Sequence, residues 1–124
     1  MEFEYYNPSN EKRSCVVRTM TKLTGKGYDT VKNELTELAQ KINCDSYNNE
    51  DVFGRYMEEH GIFKMQEQGD ITVGELEPEK GIYCVFCTDR RGFFHLLPVV
   101  DNVIYDRRDD SRGLYVIAVY KKEN

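Results

Sequence analysis

The sequence lacks several features that would place it at once in a large class of proteins. No apolar run is long enough to cross a bilayer, and the first residues contain no apolar stretch of the kind that a signal peptide requires. There is no excess of positive charge: the formal net charge is −5, which argues against nucleic-acid binding driven by phosphate neutralisation. We therefore expect a cytoplasmic protein that binds neither membranes nor nucleic acid.

Internal repeats, low-complexity tracts and linkers are also absent. Nothing divides the 124 residues, so we expect one domain over residues 1–124. Hydrophobic residues make up 40% of the chain, enough for a core that needs neither disulfides nor metal for its stability. We expect no metal site and no cofactor.

Four cysteines are present, and in a protein without a signal peptide we interpret them as reduced thiols. They are Cys15, Cys44, Cys84 and Cys87. Cys84 and Cys87 have the spacing of a metal-binding motif, but they lie in a predicted strand, where residues three apart point to opposite faces. We interpret both as packing residues, with a zinc site as the alternative.

The first half of the chain has helical periodicity and the second half has the pattern of strands joined by short turns. The predicted helices cover 15–24, a segment capped by Asp29, and a segment capped by Asn48 or Asn49. The predicted strands cover 81–88, 93–100, 103–108 and 114–121. This order predicts an α+β fold, with N-terminal helices packed on a C-terminal antiparallel β-meander.

The last predicted strand is apolar on both faces over residues 114–120. Such a strand is unusual at an open sheet edge, so it is either central and covered on both sides or paired across a dimer. We expect the central position and a monomer.

Cys15 follows Ser14, a good N-cap residue, and therefore lies in the first turn of a predicted helix. The unpaired N–H groups and the helix dipole at that end stabilise a thiolate, the nucleophilic form of cysteine. The alternative is a buried cysteine that packs as a small hydrophobic residue.

Of the two histidines, His60 precedes Gly61 and has the position of a helix C-cap, whereas His95 lies in a predicted strand. If 101–102 form a two-residue turn, Val100 faces Val103 and Asp106 becomes the diagonal neighbour of His95 on one face. A carboxylate there would orient the imidazole. Asp110 has the same parity and is the alternative, and a bulge at Pro98 would shift this register.

Two short motifs resemble small bacterial and phage papain-like cysteine peptidases. The sequence SCVVRT begins at Ser14, and HLLPVVDNVIYD extends from His95 to Asp106. Members of that group resemble DCVVRA at the nucleophile and HxxxV…IYD at the base. Here Ser14 stands where aspartate often stands, and the CGSCW signature of cathepsin-type enzymes is absent.

The resemblance implies a papain-like fold, with Cys15 as nucleophile, His95 as base and Asp106 as orienting acid. It implies hydrolysis of a peptide or isopeptide bond in a peptide or protein substrate. The alternatives are an inactive binding or regulatory module on the same fold, and acyl transfer to an amine of the transglutaminase type.

Two further hypotheses concern the surroundings of Cys15. No glutamine precedes it where papain-like enzymes carry an oxyanion donor, and Asn10 is our candidate for that role. The register also gathers five arginines near His95, and Arg107 and Arg108 are the candidate rim for an acidic substrate. The alternative is a solvated turn region in which arginines pair with neighbouring aspartates.

Overall fold

The computed structural model describes residues 1–67 and 69–123, which form three helices and one six-stranded mixed sheet. The helices are α1 (Cys15–Thr24), α2 (Tyr28–Lys41) and α3 (Glu50–Glu59). The strands are β1 (Glu2–Tyr5), β2 (Ile62–Glu67), β3 (Ile82–Thr88), β4 (Phe94–Val100), β5 (Val103–Asp106) and β6 (Tyr115–Lys122). None of the helices within the described residues has the length and apolar character needed to cross a membrane.

The helix boundaries follow the predicted caps closely. Gly25 ends α1 with a φ of 75°, and the Asn49 side chain accepts the Asp51 N–H at 2.8 Å to begin α3. The prediction for α2 was wrong by two residues at the cap. Gly27 precedes the helix, and Asp29 lies inside the first turn, where its carboxylate still complements the helix dipole.

The sheet has the strand order β1-β5-β4-β3-β6-β2, and this order corrects the predicted meander. The four predicted strands are present, but β6 pairs with β3 instead of β5. Two strands were not predicted: β1 runs parallel to β5 at one edge, and β2 pairs with β6 at the other. Because β6 lies between two strands, the expected central position is confirmed.

The sheet separates two apolar cores. On the helix side it buries Cys84, Leu96, Ala118 and Tyr120. On the other side it buries Val85, Cys87, Leu97 and Val116, and a 3₁₀ turn at Val73–Glu75 covers them. Each fully buried side chain of this size contributes about 1.5–3 kcal/mol of transfer free energy, which explains why β3, β4 and β6 are apolar on both faces.

The β4–β5 hairpin has the predicted register and then opens. Asp101 and Asn102 adopt positive φ values of 48° and 69°, and the pairs Val100–Val103 and Val99–Ile104 follow. Pairing stops there because the next outward-facing nitrogen of β4 belongs to Pro98, which has no N–H to donate. The β3–β4 register passes Pro98 without a shift, so no bulge forms.

Helix α1 occupies the gap that opens beyond Pro98. The backbone N–H and C=O of Leu96 point away from β3, and its carbonyl accepts a hydrogen bond from the Thr19 hydroxyl at 3.0 Å. The helix therefore satisfies a backbone group that a longer β5 would otherwise have paired. This insertion brings the first turn of α1 beside His95.

Candidate active site

Cys15 is the first residue of α1, and Ser14 occupies the N-cap position. The Ser14 hydroxyl does not cap the helix: it donates to the Glu11 carbonyl at 3.2 Å and accepts from Arg18 Nη1 at 3.3 Å. The positive end of the helix dipole is thus left for the Cys15 side chain. The predicted position of the thiol at the start of the helix is confirmed. Ser14 occupies the N-cap position as predicted, but its side chain makes no capping hydrogen bond.

The Cys15 sulfur is half-buried and has two hydrogen-bonding neighbours from β4, the His95 side chain and the Leu96 backbone N–H. Burial raises the pKa of the Cys15 thiol, but the hydrogen bond and charge of His95, with the Leu96 N–H, hold that pKa below its usual value. These contacts favour the thiolate, the nucleophilic form of cysteine, relative to a free thiol.

His95 connects the thiol to a carboxylate. Its Nε2 lies 2.7 Å from Asp106 Oδ2, so Nδ1 is the nitrogen left for Cys15. Burial lowers the pKa of His95, but the hydrogen bonds and charges of Asp106 and Cys15 outweigh burial and raise that pKa to about 9. The predicted His95–Asp106 contact is present, although the pairing of β5 with β4 ends at Ile104.

Asp106 is 3% exposed and is held on all sides. Its Oδ1 accepts Arg18 Nη2 at 3.1 Å and the Arg107 N–H at 2.7 Å, and its Oδ2 accepts the Ser111 hydroxyl at 2.9 Å in addition to His95. Burial raises the pKa of Asp106, but these partners outweigh burial and hold its pKa below the usual value. The carboxylate therefore stays ionised and fixed in orientation.

Arg18 and Ser111 are positioning residues for Asp106. Arg18 is 3% exposed and forms an ion pair with Asp106. It also contacts Ser14, so one side chain links the N-cap of α1 to the carboxylate. Ser111 was not predicted, because a serine five residues beyond an aspartate in a loop carries no recognisable pattern.

The three side chains lie in a cleft of about 830 Å³. Its apolar lining residues include Val16, Phe53, Phe86, Phe94 and Leu96. Phe93 stacks on the His95 ring, with centroids 5.9 Å apart and planes 18° apart. Phe93 and Phe94 remain 51% and 58% exposed, so apolar surface is offered to a ligand beside the thiol.

The candidate oxyanion donor Asn10 does not line this cleft. It is exposed, with a φ of 59°, and Arg13 in the same segment has a φ of 56°. These two left-handed residues turn the chain so that Arg13, not Asn10, reaches the cleft. The donor that the fold does position near Cys15 is the backbone N–H of Cys15 itself, at the first turn of α1.

Asn48 is an amide side chain of the cleft lining that sequence reasoning assigned only to a helix cap. It comes from the loop before α3. The sequence contains no signal that this loop meets the first turn of α1.

The five arginines predicted to gather near His95 divide into two groups. Arg107 and Arg108 line the cleft as predicted. Arg112 pairs with Asp109 at 2.7 Å, Arg90 pairs with Asp70 at 3.0 Å, and Arg91 does not line the cleft. The self-paired alternative therefore describes Arg112 and also Arg108, which pairs with Asp110, whereas the partner of Arg90 is more distant in the chain.

The other predicted candidates are not part of the group formed by Cys15, His95 and Asp106. Asp110, the alternative to Asp106, pairs with Arg108 at 3.5 Å. His60 Nδ1 bonds the Tyr56 carbonyl at 2.7 Å, which confirms the C-cap. Cys84 and Cys87 lie in the two different cores, as expected for residues three apart in a strand, and burial raises the pKa of both thiols.

Comparison with known proteins adds no relative. The chain matches no protein-family model, no curated protein and no solved structure.

Proposed function

We propose that the protein is a cysteine hydrolase of the papain-like type that cleaves a peptide or isopeptide bond, with Cys15 as nucleophile, His95 as acid and base, and Asp106 as the orienting carboxylate. The observation that carries the proposal is that Cys15, His95 and Asp106 line one cleft, with the thiol next to the His95 ring and His95 Nε2 at 2.7 Å from Asp106 Oδ2. A path of nucleophile, base and oriented acid at the mouth of a cleft is the arrangement that acyl transfer requires.

The reaction begins from the ion pair of thiolate and imidazolium. The Cys15 sulfur attacks the carbonyl carbon and forms the C–S bond, and the carbonyl oxygen takes up negative charge near the Cys15 N–H. The C–N bond then breaks as His95 Nδ1 gives its proton to the departing amine. The product of this step is a thioester on Cys15.

The second half of the reaction uses water. His95, now neutral, takes a proton from a water molecule whose oxygen attacks the thioester carbon. The C–S bond breaks, the carboxylic acid leaves, and the thiolate and imidazolium are restored. Asp106 keeps its charge throughout and stabilises the imidazolium each time it forms.

Covalent labelling of the thiols and measurement of peptide turnover test the proposal. The protein is incubated with thiol-directed peptidyl electrophiles and with a fluorogenic peptide library, and labelled sites are located by mass spectrometry. We expect labelling at Cys15, and turnover that is lost in both Cys15→Ala and His95→Ala. Cys44→Ala is the matched control, because Cys44 is also a half-buried free thiol but does not line the cleft.

The outcomes also separate the two alternatives. An amine added to the reaction distinguishes transfer from hydrolysis, since a transferase would convert the thioester to an amide product. Labelling that is no faster at Cys15 than at Cys44, together with absent turnover, contradicts the proposed enzyme and favours the binding module.

A further inference from the structure

Two cationic side chains at the cleft have no partner in the part of the chain that the structure describes. Arg13 and Arg107 line the cleft, and among the described residues neither guanidinium has a hydrogen bond or an ion pair. Nearby arginines differ: Arg18 is paired with Asp106, and Arg112 with Asp109. The charges of Arg13 and Arg107 are therefore not used in an ion pair between described residues.

The acidic residues of the cleft lining do not compensate these charges. The Asp106 carboxylate is already paired with Arg18 and His95, and Asp110 is paired with Arg108. Arg13 and Arg107 thus leave two uncompensated positive charges at the opening, on a chain whose formal net charge is −5. A local field opposite in sign to the rest of the molecule attracts and orients anionic ligands.

The two arginines lie next to the reacting groups in sequence. Arg13 is two residues before Cys15, and Arg107 follows Asp106, to whose Oδ1 it donates its own N–H. This hydrogen bond holds the backbone of Arg107 beside Asp106, and Arg13 has a positive φ of 56°. Both side chains therefore extend from backbone positions close to the thiol and the histidine.

We propose that Arg13 and Arg107 are specificity-determining residues, and that the cleft selects peptides that carry an anionic oxygen group, a carboxylate or a phosphate, close to the bond that is cleaved. The guanidinium group binds both kinds of anion through paired N–H donors. This inference rests on the proposed hydrolase function and names the substrate class for the same cleft.

The test measures binding without catalysis. Cys15→Ala protein is titrated with fluorescent peptides that share one phenylalanine for the apolar wall and differ only at a neighbouring glutamate, phosphoserine, glutamine or lysine. We expect the glutamate or phosphoserine peptide to bind about tenfold or more tightly than the glutamine peptide, with the preference reduced by salt. The glutamate and phosphoserine arms identify which anion is preferred.

Neutral substitutions then test whether Arg13 and Arg107 cause the preference for anionic peptides. In the same background, Arg13→Gln with Arg107→Gln should bring the glutamate and glutamine peptides to equal affinity. Arg55→Gln with Lys41→Gln removes the same charge at exposed positions that do not line the cleft, and should keep the preference.

Equal affinity for all peptides, or a preference that survives Arg13→Gln with Arg107→Gln, would overturn the inference. Because binding is measured without the nucleophile, its result is independent of turnover. A protein that binds acidic peptides but never hydrolyses them would contradict the hydrolase proposal and leave the anionic selectivity standing.

Discussion

The Thr19 hydroxyl donates to the Leu96 carbonyl at 3.0 Å, and this contact fastens α1 to the edge of β4 that β5 leaves open. The two residues are 77 positions apart in the chain, and both are fully or almost fully buried. The bond sets the height of α1 along β4 and hence the position of Cys15 relative to His95.

Thr19→Val should therefore damage both stability and the site. The substitution keeps the shape of the side chain but leaves a buried carbonyl without its partner, which costs about 1–3 kcal/mol of unfolding free energy. Urea denaturation measures this loss, and the Cys15 alkylation rate should fall in the folded protein. Thr36→Val is the control, because the exposed Thr36 hydroxyl only bonds its own helix, and its effect should stay within about 0.5 kcal/mol.

The thiols should differ in reactivity. Iodoacetamide added at neutral pH should label Cys15 before Cys84 and Cys87, since burial raises the pKa of the latter two while His95 lowers the pKa of Cys15. His95→Ala should slow the labelling of Cys15 because its charge and hydrogen bond are lost. Mass spectrometry of peptides over time gives each rate, and earlier labelling of Cys84 or Cys87 would contradict the assignment.

The rate of hydrolysis and the rate of Cys15 alkylation should respond differently to high pH. The pKa of His95 is raised to about 9, so imidazolium disappears as pH rises through that value. Hydrolysis, which needs the proton of His95 for the leaving amine, should decline there, whereas alkylation should persist because the thiolate remains. Parallel pH profiles of the two rates make the comparison, and profiles that fall together would argue against His95 as the acid.

The free energy of unfolding should also depend on the protonation of His95. A histidine whose pKa is raised by folding stabilises the protein fully below its unfolded pKa, and the contribution is lost as pH rises through about 9. Wild-type protein should therefore lose stability between pH 7 and pH 10, and His95→Gln should lose less over the same interval. Denaturation curves across these pH values, written as differences between variants, test the sign.

Arg18→Met should be one of the most destabilising single substitutions in the chain. It removes a buried cation from Asp106, and breaking a buried ion pair on one side costs about 3–5 kcal/mol. Lys26→Met breaks the half-exposed pair with Glu34 at 3.0 Å and should cost less than about 1 kcal/mol. Comparable losses in the two variants would show that Arg18 contributes mainly through its apolar stem.

Local patterns predicted those parts of the fold that depend on neighbours in the chain. The turn at Asp101 and Asn102 has the predicted register, and His95 contacts Asp106 as predicted although the pairing of β4 with β5 stops at Ile104. The edge strands β1 and β2 were missed because each is ordered by a partner more than 50 residues away, and a short edge strand with charged residues has a weak pattern of its own.

The remaining site residues depend on the paths of loops, which sequence spacing does not determine. Asn10 was chosen for its distance from Cys15, yet the left-handed residues at Asn10 and Arg13 redirect that segment. Ser111 reaches Asp106 through a loop and a 3₁₀ turn at Ser111–Gly113. Charge pattern found Arg107 and missed Arg13, because only the fold brings both sides of the cleft together.

The opening beyond Pro98 also determines when Cys15 acquires its neighbours during synthesis. Cys15 leaves the ribosome long before His95, Leu96 and Asp106 exist, and α1 alone offers only its own dipole. Arg18 and Asp106 are separated by 88 positions, so the network around Cys15 is complete only after Asp106 has been made. A nascent or truncated chain that ends before β4 therefore lacks the partners that lower the pKa of Cys15, and the reactivity of Cys15 reports that α1 and β4 have come together.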